Sequence, residues 1–422
     1  MKRDASVWTV LRIRDYRRLW FADVVSDAGS FITFIALAVY VHQLTGTAVA
    51  VGFALTLRTI PWFTIGPIAG TFADRLDRRV IMVSCDLIRA GLVVLLPFTQ
   101  TAGQAYAIAF ASGLFGPFFR PARAALIPST VPADRYVHAL AVAEVSHNVM
   151  HMIGPALGGV AVLLVGARHA FFLDAGTFVF SAVMVLGVSI RGSVRGRPAG
   201  VADVWRDLKE GARNLWRDRI LRSAVPAFAL LLLGFEGAIG ALVVYVQDRL
   251  GRGGGSYGIV LAAAGLGTAV ATLLLARRPR AAPRTWPLVA AAASPAVLVL
   301  VALRPGFEAL LAIMFLGGVI TSGTLYVDTF IAERTPDEGR GRAFSLNGAM
   351  LTMGEAIGTL GVAALADHIG PARAIAIGGL GGAGLALLAL VPALSALRAA
   401  DAERAASGAP SDVPHPVPDA GA

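Results

Sequence analysis

Apolar runs of roughly 20 residues, the length a helix needs to cross a bilayer, recur along the chain between short polar segments. Within a bilayer, a helix satisfies its own backbone hydrogen bonds. The pattern therefore predicts an all-α membrane protein with transmembrane helices at twelve places, namely Leu19–Gln43, Ala50–Phe72, Val80–Thr99, Ala105–Leu126, Ala139–Val165, Ala170–Ile190, Ala224–Val246, Tyr257–Ala276, Pro287–Leu303, Ala309–Ile331, Phe344–Ala366 and Arg373–Leu394.

Composition agrees with this pattern, and the charge distribution predicts an orientation. Hydrophobic residues make up 56% of the chain and charged residues 15%, against roughly 25% charged in soluble proteins. The 37 Lys and Arg residues and the net charge of +10 would suit nucleic-acid binding if they formed one patch. Thirty of them instead fall on the two tails and the even-numbered loops, and five on the odd-numbered loops. This asymmetry predicts cytoplasmic N- and C-termini and no nucleic-acid partner.

The second half of the chain resembles the first at a shift of about 205 positions. Ala36–Val41 matches Ala241–Val246, and Gly154 matches Gly358. Two parallel six-helix halves are typical of secondary transporters, whose site lies between the halves near the membrane midplane. We predict a cytoplasmic tail at 1–18, an N-terminal half at 19–190, a cytoplasmic amphipathic linker at 191–222, a C-terminal half at 223–397 and a disordered tail at 398–422.

The loop from Gly70 to Arg79 reads Gly-Thr-Phe-Ala-Asp-Arg-Leu-Asp-Arg-Arg. It resembles the signature loop of the major facilitator superfamily, Gly-x-Leu-Ala-Asp-Arg-x-Gly-Arg-Arg, and departs from it at Phe72 and Asp77. Residues 11–20 and 86–90 are similar to the branch of macrolide and enterobactin exporters. The resemblance implies the fold of that superfamily and a latch that closes the two halves on the inner side, formed by Gly70, Asp74, Arg75, Arg78 and Arg79. The alternative for the arginines is that they only set the topology.

Helix five carries a short motif made of Gly154, Pro155, Gly158 and Gly159. It resembles the end of a longer pattern that marks antiporters and exporters in the same superfamily, so the resemblance implies export. Proline removes one backbone hydrogen bond and glycines let helices approach closely. A packing kink without meaning for transport is therefore the alternative interpretation.

Ionisable residues at bilayer depth are costly, so each is a candidate functional group. Glu144, His147 and His151 share one face of helix five, where they can carry a proton or bond to a neighbouring helix. Glu236 lies in the middle of helix seven without a partner nearby in sequence, and Glu355 is the repeat counterpart of His151. We predict that these five residues line the cavity and bind the coupling proton or the substrate. The alternative for Glu236 is a bond to Arg58 or to a Ser or Thr of another helix.

A second set of charges, Asp27, Arg58, Asp86 and Arg89, fits either a gate network or a compensated structural group.

No metal-ligand cluster, catalytic nucleophile or nucleotide-binding loop is present in the sequence, so we expect no enzyme and no cofactor. We predict a monomeric secondary transporter of the cell membrane, in contact with lipids and driven by the proton gradient. It would export a hydrophobic drug-like or siderophore-like small molecule. A solute importer or facilitator and, less favoured, a lipid-moving protein are the alternatives.

Overall fold

The structure is a computed structural model, and it describes residues 7–66, 76–189, 221–277, 286–322 and 337–407, with 209, 213, 216–218, 331 and 335. Within these ranges the ordered elements are helices, and no strand occurs. The α-helices are α1 (Arg14–Thr45), α2 (Ala48–Thr64), α3 (Arg78–Leu95), α4 (Ala102–Gly113), α5 (Gly116–Thr130), α6 (Tyr136–Leu186), α7 (Leu221–Phe235), α8 (Ala238–Val244), α9 (Gly254–Arg277), α10 (Trp286–Val297), α11 (Phe307–Thr321), α12 (Asp337–Ile369) and α13 (Pro371–Ser407).

Seven helical stretches among the described residues are long and apolar enough to cross a membrane. They are Arg14–Thr45, Arg78–Phe98, Ala133–Leu186, Leu221–Arg249, Gly254–Leu274, Leu346–Ile369 and Pro371–Pro392. Three shorter apolar helices accompany them, at Ala48–Trp62, Val289–Leu303 and Phe307–Thr321. The prediction of an all-α protein with several membrane-spanning helices is therefore confirmed.

Helix α6 contains a reversal of the chain at Gly166, whose φ of 79° and ψ of 158° are not helical. Near its start, the carbonyl of Ala139 accepts a hydrogen bond of 2.7 Å from the Tyr16 hydroxyl. Just after its end, the carbonyl of Gly187 accepts one from the Arg18 guanidinium. Because both ends lie beside the first turn of α1, α6 consists of two antiparallel segments. The reversal separates the predicted fifth and sixth runs.

The predicted seventh run is interrupted, because α7 ends at Phe235 and α8 begins at Ala238. Gly237 donates its backbone N–H to the carbonyl of Leu232, five positions back, instead of continuing the regular helical pattern. The carbonyl of Glu236 accepts hydrogen bonds from the backbone N–H of Ile239 at 3.0 Å and from the Thr359 hydroxyl at 3.3 Å. The predicted seventh run is thus one apolar helical stretch, Leu221–Arg249, with an irregular turn at Glu236 and Gly237.

The two halves pack against each other through small residues. A Cβ atom added to Gly258 on α9 would lie 2.2 Å from the Cα of Gly159 on α6. A Cβ atom added to Gly52 on α2 would lie 2.9 Å from the Cβ of Ala363 on α12. Only glycine permits helices to approach this closely. These contacts join α6 to α9 and α2 to α12.

Polar contacts between the halves lie at the face where α1 ends, which we call the distal face. The Asp367 carboxylate accepts hydrogen bonds from the backbone N–H groups of Ala48 at 2.7 Å and Val49 at 2.9 Å. His42 Nε2 lies 2.9 Å from Asp248 Oδ1. We call the opposite face, where α1 begins, the N-terminal face.

Hydrogen bonds between the described parts of the two halves end partway toward the N-terminal face. From the distal face inward, the deepest hydrogen bond between described residues of the two halves joins the Thr56 hydroxyl to the carbonyl of Ala356, at 3.4 Å. Beyond this level no hydrogen bond joins described residues of the two halves, although α6 and α9 still pack closely, since a Cβ atom added to Gly265 would lie 2.1 Å from the carbonyl oxygen of Met152. We call the region between the halves on the N-terminal side of Thr56 the cleft. Its apex, where Thr56 lies, is the central part of the molecule and the place expected for a transport site.

The ends of the predicted domains fall partly outside the described residues. Most of the predicted linker at 191–222 and the tail from 408 onward belong to this part. Helix α13 continues to Ser407, so residues 398–407 of the predicted disordered tail are helical here. Their alanine content favours a helix. The two-half organisation stays a prediction in its exact boundaries.

Candidate functional site

Of the predicted latch loop, Gly70, Asp74 and Arg75 lie outside the described residues, whereas Arg78 and Arg79 begin α3. Asp77, where the sequence departs from the family glycine, caps this helix. Its carboxylate accepts hydrogen bonds from the backbone N–H groups of Arg79 at 2.8 Å and Val80 at 3.4 Å. The departure therefore has a local structural role.

The two arginines of the loop hold α3 against other helices of its own half. Arg78 donates a hydrogen bond of 2.8 Å to the carbonyl of Ala125 on α5. Arg79 donates to the carbonyl of Leu186 at the end of α6. The latch between the halves stays a prediction, and these contacts add a role within one half that sequence reasoning did not foresee.

The glycines of the helix-five motif allow α6 to pack on two neighbours at once. A Cβ atom on Gly154 would lie 2.3 Å from the Phe31 ring on α1, and one on Gly158 would lie 2.7 Å from Ile35. Gly159 faces the other half at Gly258. Pro155 lies within the helix among them. This packing agrees with the structural interpretation of the motif, and its link to export stays a prediction.

The histidines of helix five lie beside Asp27 of α1. His147 Nδ1 is 2.9 Å from Asp27 Oδ2, and His147 Nε2 is 2.8 Å from an Arg120 nitrogen. Because arginine only donates, this arrangement needs Nε2 as the acceptor from Arg120 and Nδ1 as the donor to Asp27. The His151 ring contacts the His147 ring at 4.5 Å and the Phe31 ring at 5.1 Å.

The third residue of this stripe, Glu144, is exposed and forms no hydrogen bond or ion pair with another described residue. Sequence reasoning counted Arg120 and Arg123 only as topology determinants. The structure places both on α5, where Arg123 forms an ion pair with Asp23 and Arg120 lies 5.7 Å from the Trp62 ring. Their position inside the predicted fourth apolar run was the signal that could have revealed them.

The four residues predicted as one network divide into two places. Asp27 bonds to His147, whereas Arg58 and Arg89 both reach Ser30 on α1, through its carbonyl and its hydroxyl respectively, at 3.1 Å. Asp86 lies inside the N-terminal half, within electrostatic range of Arg89. Asp174 on α6, which sequence reasoning left without a role, is also in range of Arg89.

Glu236 and Glu355 come together at the apex of the cleft. Glu236 lies at the break between α7 and α8, within electrostatic range of Glu355 on α12. Glu355 is in electrostatic range of Arg58 of the N-terminal half. His151, the repeat counterpart of Glu355, contacts Phe31 instead. A small cavity here has room for roughly one water molecule. It is lined by Phe34, Leu55, Thr56, Thr59, Ile239, Glu355, Ala356 and Thr359.

This arrangement has one more acid than base. In a site that protein encloses on most sides, Glu355 has Arg58 in electrostatic range, and Arg58 is shared with Asp174, whereas Glu236 has Glu355 in range and no described base. An uncompensated charge in such surroundings costs several kcal/mol, so the site favours one further positive charge. A proton or a cationic group of a ligand can supply it.

Solved structures with the same fold are membrane transporters. The nucleoside transporter NupG superposes with a TM-score of 0.70 at 14% identity, covering 89% of this chain and 98% of that protein. A bacterial homologue of the iron transporter ferroportin, in an inward-facing state, superposes with a TM-score of 0.69 at 15% identity, covering 91% and 98%. At these identities the likeness shows the fold alone.

Sequence relatives include proteins named for efflux. The multidrug efflux pump Tap of Mycolicibacterium fortuitum is 26% identical over 372 residues, which are 83% of this chain and 88% of Tap. Macrolide efflux protein A of Streptococcus pyogenes is 24% identical over 221 residues, 51% of this chain and 53% of that protein. The uncharacterized MFS-type transporter YkuC of Bacillus subtilis is 25% identical over 250 residues, 56% of this chain and 58% of YkuC. The match thus spans little more than half the length of YkuC.

A family model described as transmembrane secretion effector matches residues 5–418. It covers nearly the whole chain, including both groups of charged residues described above. The predicted membership of the major facilitator superfamily, and the likeness to its macrolide exporters, are confirmed. The chain belongs to the transmembrane secretion effector family of the major facilitator superfamily, and it is a multi-pass membrane transporter rather than an enzyme.

Proposed function

We propose that this transporter exports a hydrophobic drug-like or siderophore-like molecule from the cell in exchange for protons. Export is supported by the relatives named as a multidrug efflux pump and a macrolide efflux protein. The basic residues of the sequence support twelve spans in the cell membrane with the N-terminal face in the cytoplasm. The proposal includes a monomer that contacts membrane lipids and uses the proton gradient without a cofactor.

The observation that carries the proposal is the unequal charge at the cleft apex. Glu236, Glu355 and Arg58 leave one negative charge to be balanced. A proton or a cationic group of the substrate can balance this negative charge. Whichever of the two binds second would meet a site that has no unbalanced negative charge left. Binding of one therefore disfavours binding of the other, which is the condition for exchange.

The geometry of the cleft supports the order of events. The distal face is closed by Asp367, His42 and Asp248, and the cleft extends from the apex toward the N-terminal face. A hydrophobic substrate would enter from the cytoplasm and reach Glu355 past Phe31 and His151. Rocking of the two halves would then open the distal face. Protons entering from outside would displace the substrate and return the protein to its first state.

The test is proton movement in everted membrane vesicles that carry the protein and a pH-sensitive dye. Adding hydrophobic cations, macrolides or siderophores to energised vesicles should release protons with wild-type protein. Glu236→Gln should abolish this release, because the amide keeps the side-chain shape but cannot exchange a proton. Glu308→Gln, an exposed position in the first turn of α11, is the matched control and should behave as wild type.

Two outcomes contradict the proposal. Absence of proton release with every compound in the panel refutes antiport. Normal release by Glu236→Gln refutes the assignment of the proton to Glu236. Growth of a pump-deficient host supplies the direction of transport, since an exporter raises resistance to its substrate and an importer raises sensitivity.

A further inference from the structure

A separate group of buried acids lies inside the N-terminal half, where α1, α3 and the second segment of α6 meet. Asp86 on α3 has 0% of its surface exposed, and Asp174 on α6 has 1%. The hydroxyls of Ser181 and Thr33 are buried beside them, Ser181 near Asp86 and Thr33 near Asp174. The proposed coupling mechanism does not use this group.

Most of the oxygen atoms in the group lack a hydrogen bond. Among described residues, neither carboxylate oxygen of Asp86 has a partner of normal geometry, and the same holds for Oδ2 of Asp174. The hydroxyls of Ser181 and Thr33 lie within reach of Asp86 and Asp174 respectively, but neither makes a hydrogen bond of normal geometry. Only Oδ1 of Asp174 accepts a hydrogen bond, at 3.1 Å from the Thr177 hydroxyl. A buried polar atom left in this way costs about 1–3 kcal/mol, and more if it is charged.

The charges around the group do not balance. Arg89 is in electrostatic range of both acids, and its guanidinium also lies 4.0 Å from the Phe178 ring and bonds to Ser30. Two other charged residues in range have partners elsewhere. Asp23 is paired with Arg123, and Arg58 is in range of both Asp174 and Glu355. Asp86 therefore has one base in range, Arg89, which it shares with Asp174, so its negative charge is not balanced in a membrane-embedded interior.

We propose that the Asp86–Asp174 group binds one monovalent cation, a proton or Na⁺, with Asp86 as its principal ligand. A protonated Asp86 would become a donor and could bond to the Ser181 hydroxyl. A sodium ion would instead take the unpartnered carboxylate and hydroxyl oxygens of both acids and of Ser181 and Thr33. Either occupant supplies the missing positive charge. The site is distinct from the cleft apex and does not depend on the direction of transport.

The close approach of α1 and α6 supports a built site. A Cβ atom on Gly29 of α1 would lie 1.9 Å from the Thr177 hydroxyl and 2.3 Å from Oδ1 of Asp174. Any larger residue at Gly29 would push Asp174 away from α1 and from Thr33. The absence of a side chain at this position therefore lets the acid enter the space between the helices.

The test is the infrared spectrum of the purified protein, compared in sodium and potassium buffers. A protonated carboxyl group has a C=O stretching band that is separate from the bands of carboxylates. If the occupant is a proton, wild type shows this band in both buffers and Asp86→Asn loses it. If the occupant is sodium, replacing potassium by sodium raises the melting temperature of wild type, and Asp86→Asn loses this shift. Asp134→Asn, at an exposed position, is the matched control.

The proposal is overturned if Asp86→Asn loses no band and wild type shows no sodium-dependent shift. Aspartate carbon-13 labelling of wild type keeps the test decisive if Asp86→Asn does not fold. The label moves aspartate bands away from those of Glu236 and Glu355. A labelled protonated band, or a sodium shift, then supports the cation, and the absence of both overturns it.

Discussion

Removing the Asp367 carboxylate should open the distal face. Asp367 stands at the end of α12 and binds the first two free N–H groups of α2 in the other half, at Ala48 and Val49. Thr47, the residue before α2, makes no side-chain cap of its own. Asp367 therefore replaces the missing cap, and it does so only while the halves are together at this face.

The size of the effect follows from the two hydrogen bonds. Replacing a capping carboxylate by alanine costs about 0.5–2 kcal/mol, and because Asp367 is exposed we take the lower part, about 0.5–1 kcal/mol. The variant loses this free energy only in the state that is closed at the distal face. Asp367→Ala should therefore shift the equilibrium toward the distally open state by roughly 2- to 5-fold.

The assay is a spin-label distance measurement across the distal face. Cys85 is the only cysteine, so Cys85→Ala provides a background for two labels. Gly103 in the first turn of α4 and Gly306 before α11 both face open space, where a Cβ atom meets nothing within 4 Å. Asp367→Ala should increase the population with the longer distance between labels at these positions.

The control for this measurement is His368→Ala, an exposed change next to Asp367 that removes no hydrogen bond between the halves. It should leave the distance distribution of the background protein unchanged. Coincident distributions for Asp367→Ala and the background would refute the reasoning. A shift toward shorter distances would refute it equally.

Two further predictions concern packing. Gly258→Ala places a methyl group 2.2 Å from the Cα of Gly159, so it should lower the free energy of unfolding by about 1–3 kcal/mol. The control Gly91→Ala enters open space and should leave that free energy unchanged. Equal melting temperatures for the two variants would contradict the close helix contact. Tyr40→Phe removes the hydroxyl that donates at 2.6 Å to the carbonyl of Thr99, so it should lower the free energy of unfolding by about 0.5–1.5 kcal/mol in the same measurement. An unchanged melting temperature would show that this carbonyl finds another donor.

Sequence reasoning predicted the helices well because hydropathy is a local property. A run of apolar residues of membrane length can be recognised without knowledge of its neighbours. Six of the seven long apolar stretches overlap one predicted run each, and Ala133–Leu186 overlaps two. The signature loop and the glycine motif led to the correct superfamily for the same reason. The interruption at Glu236 was missed because it depends on Thr359 and Gly358, which lie far away in the chain.

The candidate site was only partly predictable. Glu236 and Glu355 could be singled out, because an acid in an apolar run is visible in sequence. The residues that lie beside them could not be predicted, since the rotation of each helix about its axis decides these contacts. Asp27 meets His147, which is 120 positions away, and Arg120 is the third member of that contact. Asp174 was left unassigned for the same reason.

The amino-acid sequence by itself determined that this chain is helical, lies in a membrane and belongs to the major facilitator superfamily. Each of these properties depends on the length and composition of single segments or on a short motif. Only the tertiary structure decided which charges share a site, because helix rotation and close glycine contacts set those distances. It separated Glu236 and Glu355 at the cleft apex from Asp86 and Asp174 inside one half. It also located the closure between the halves at Asp367.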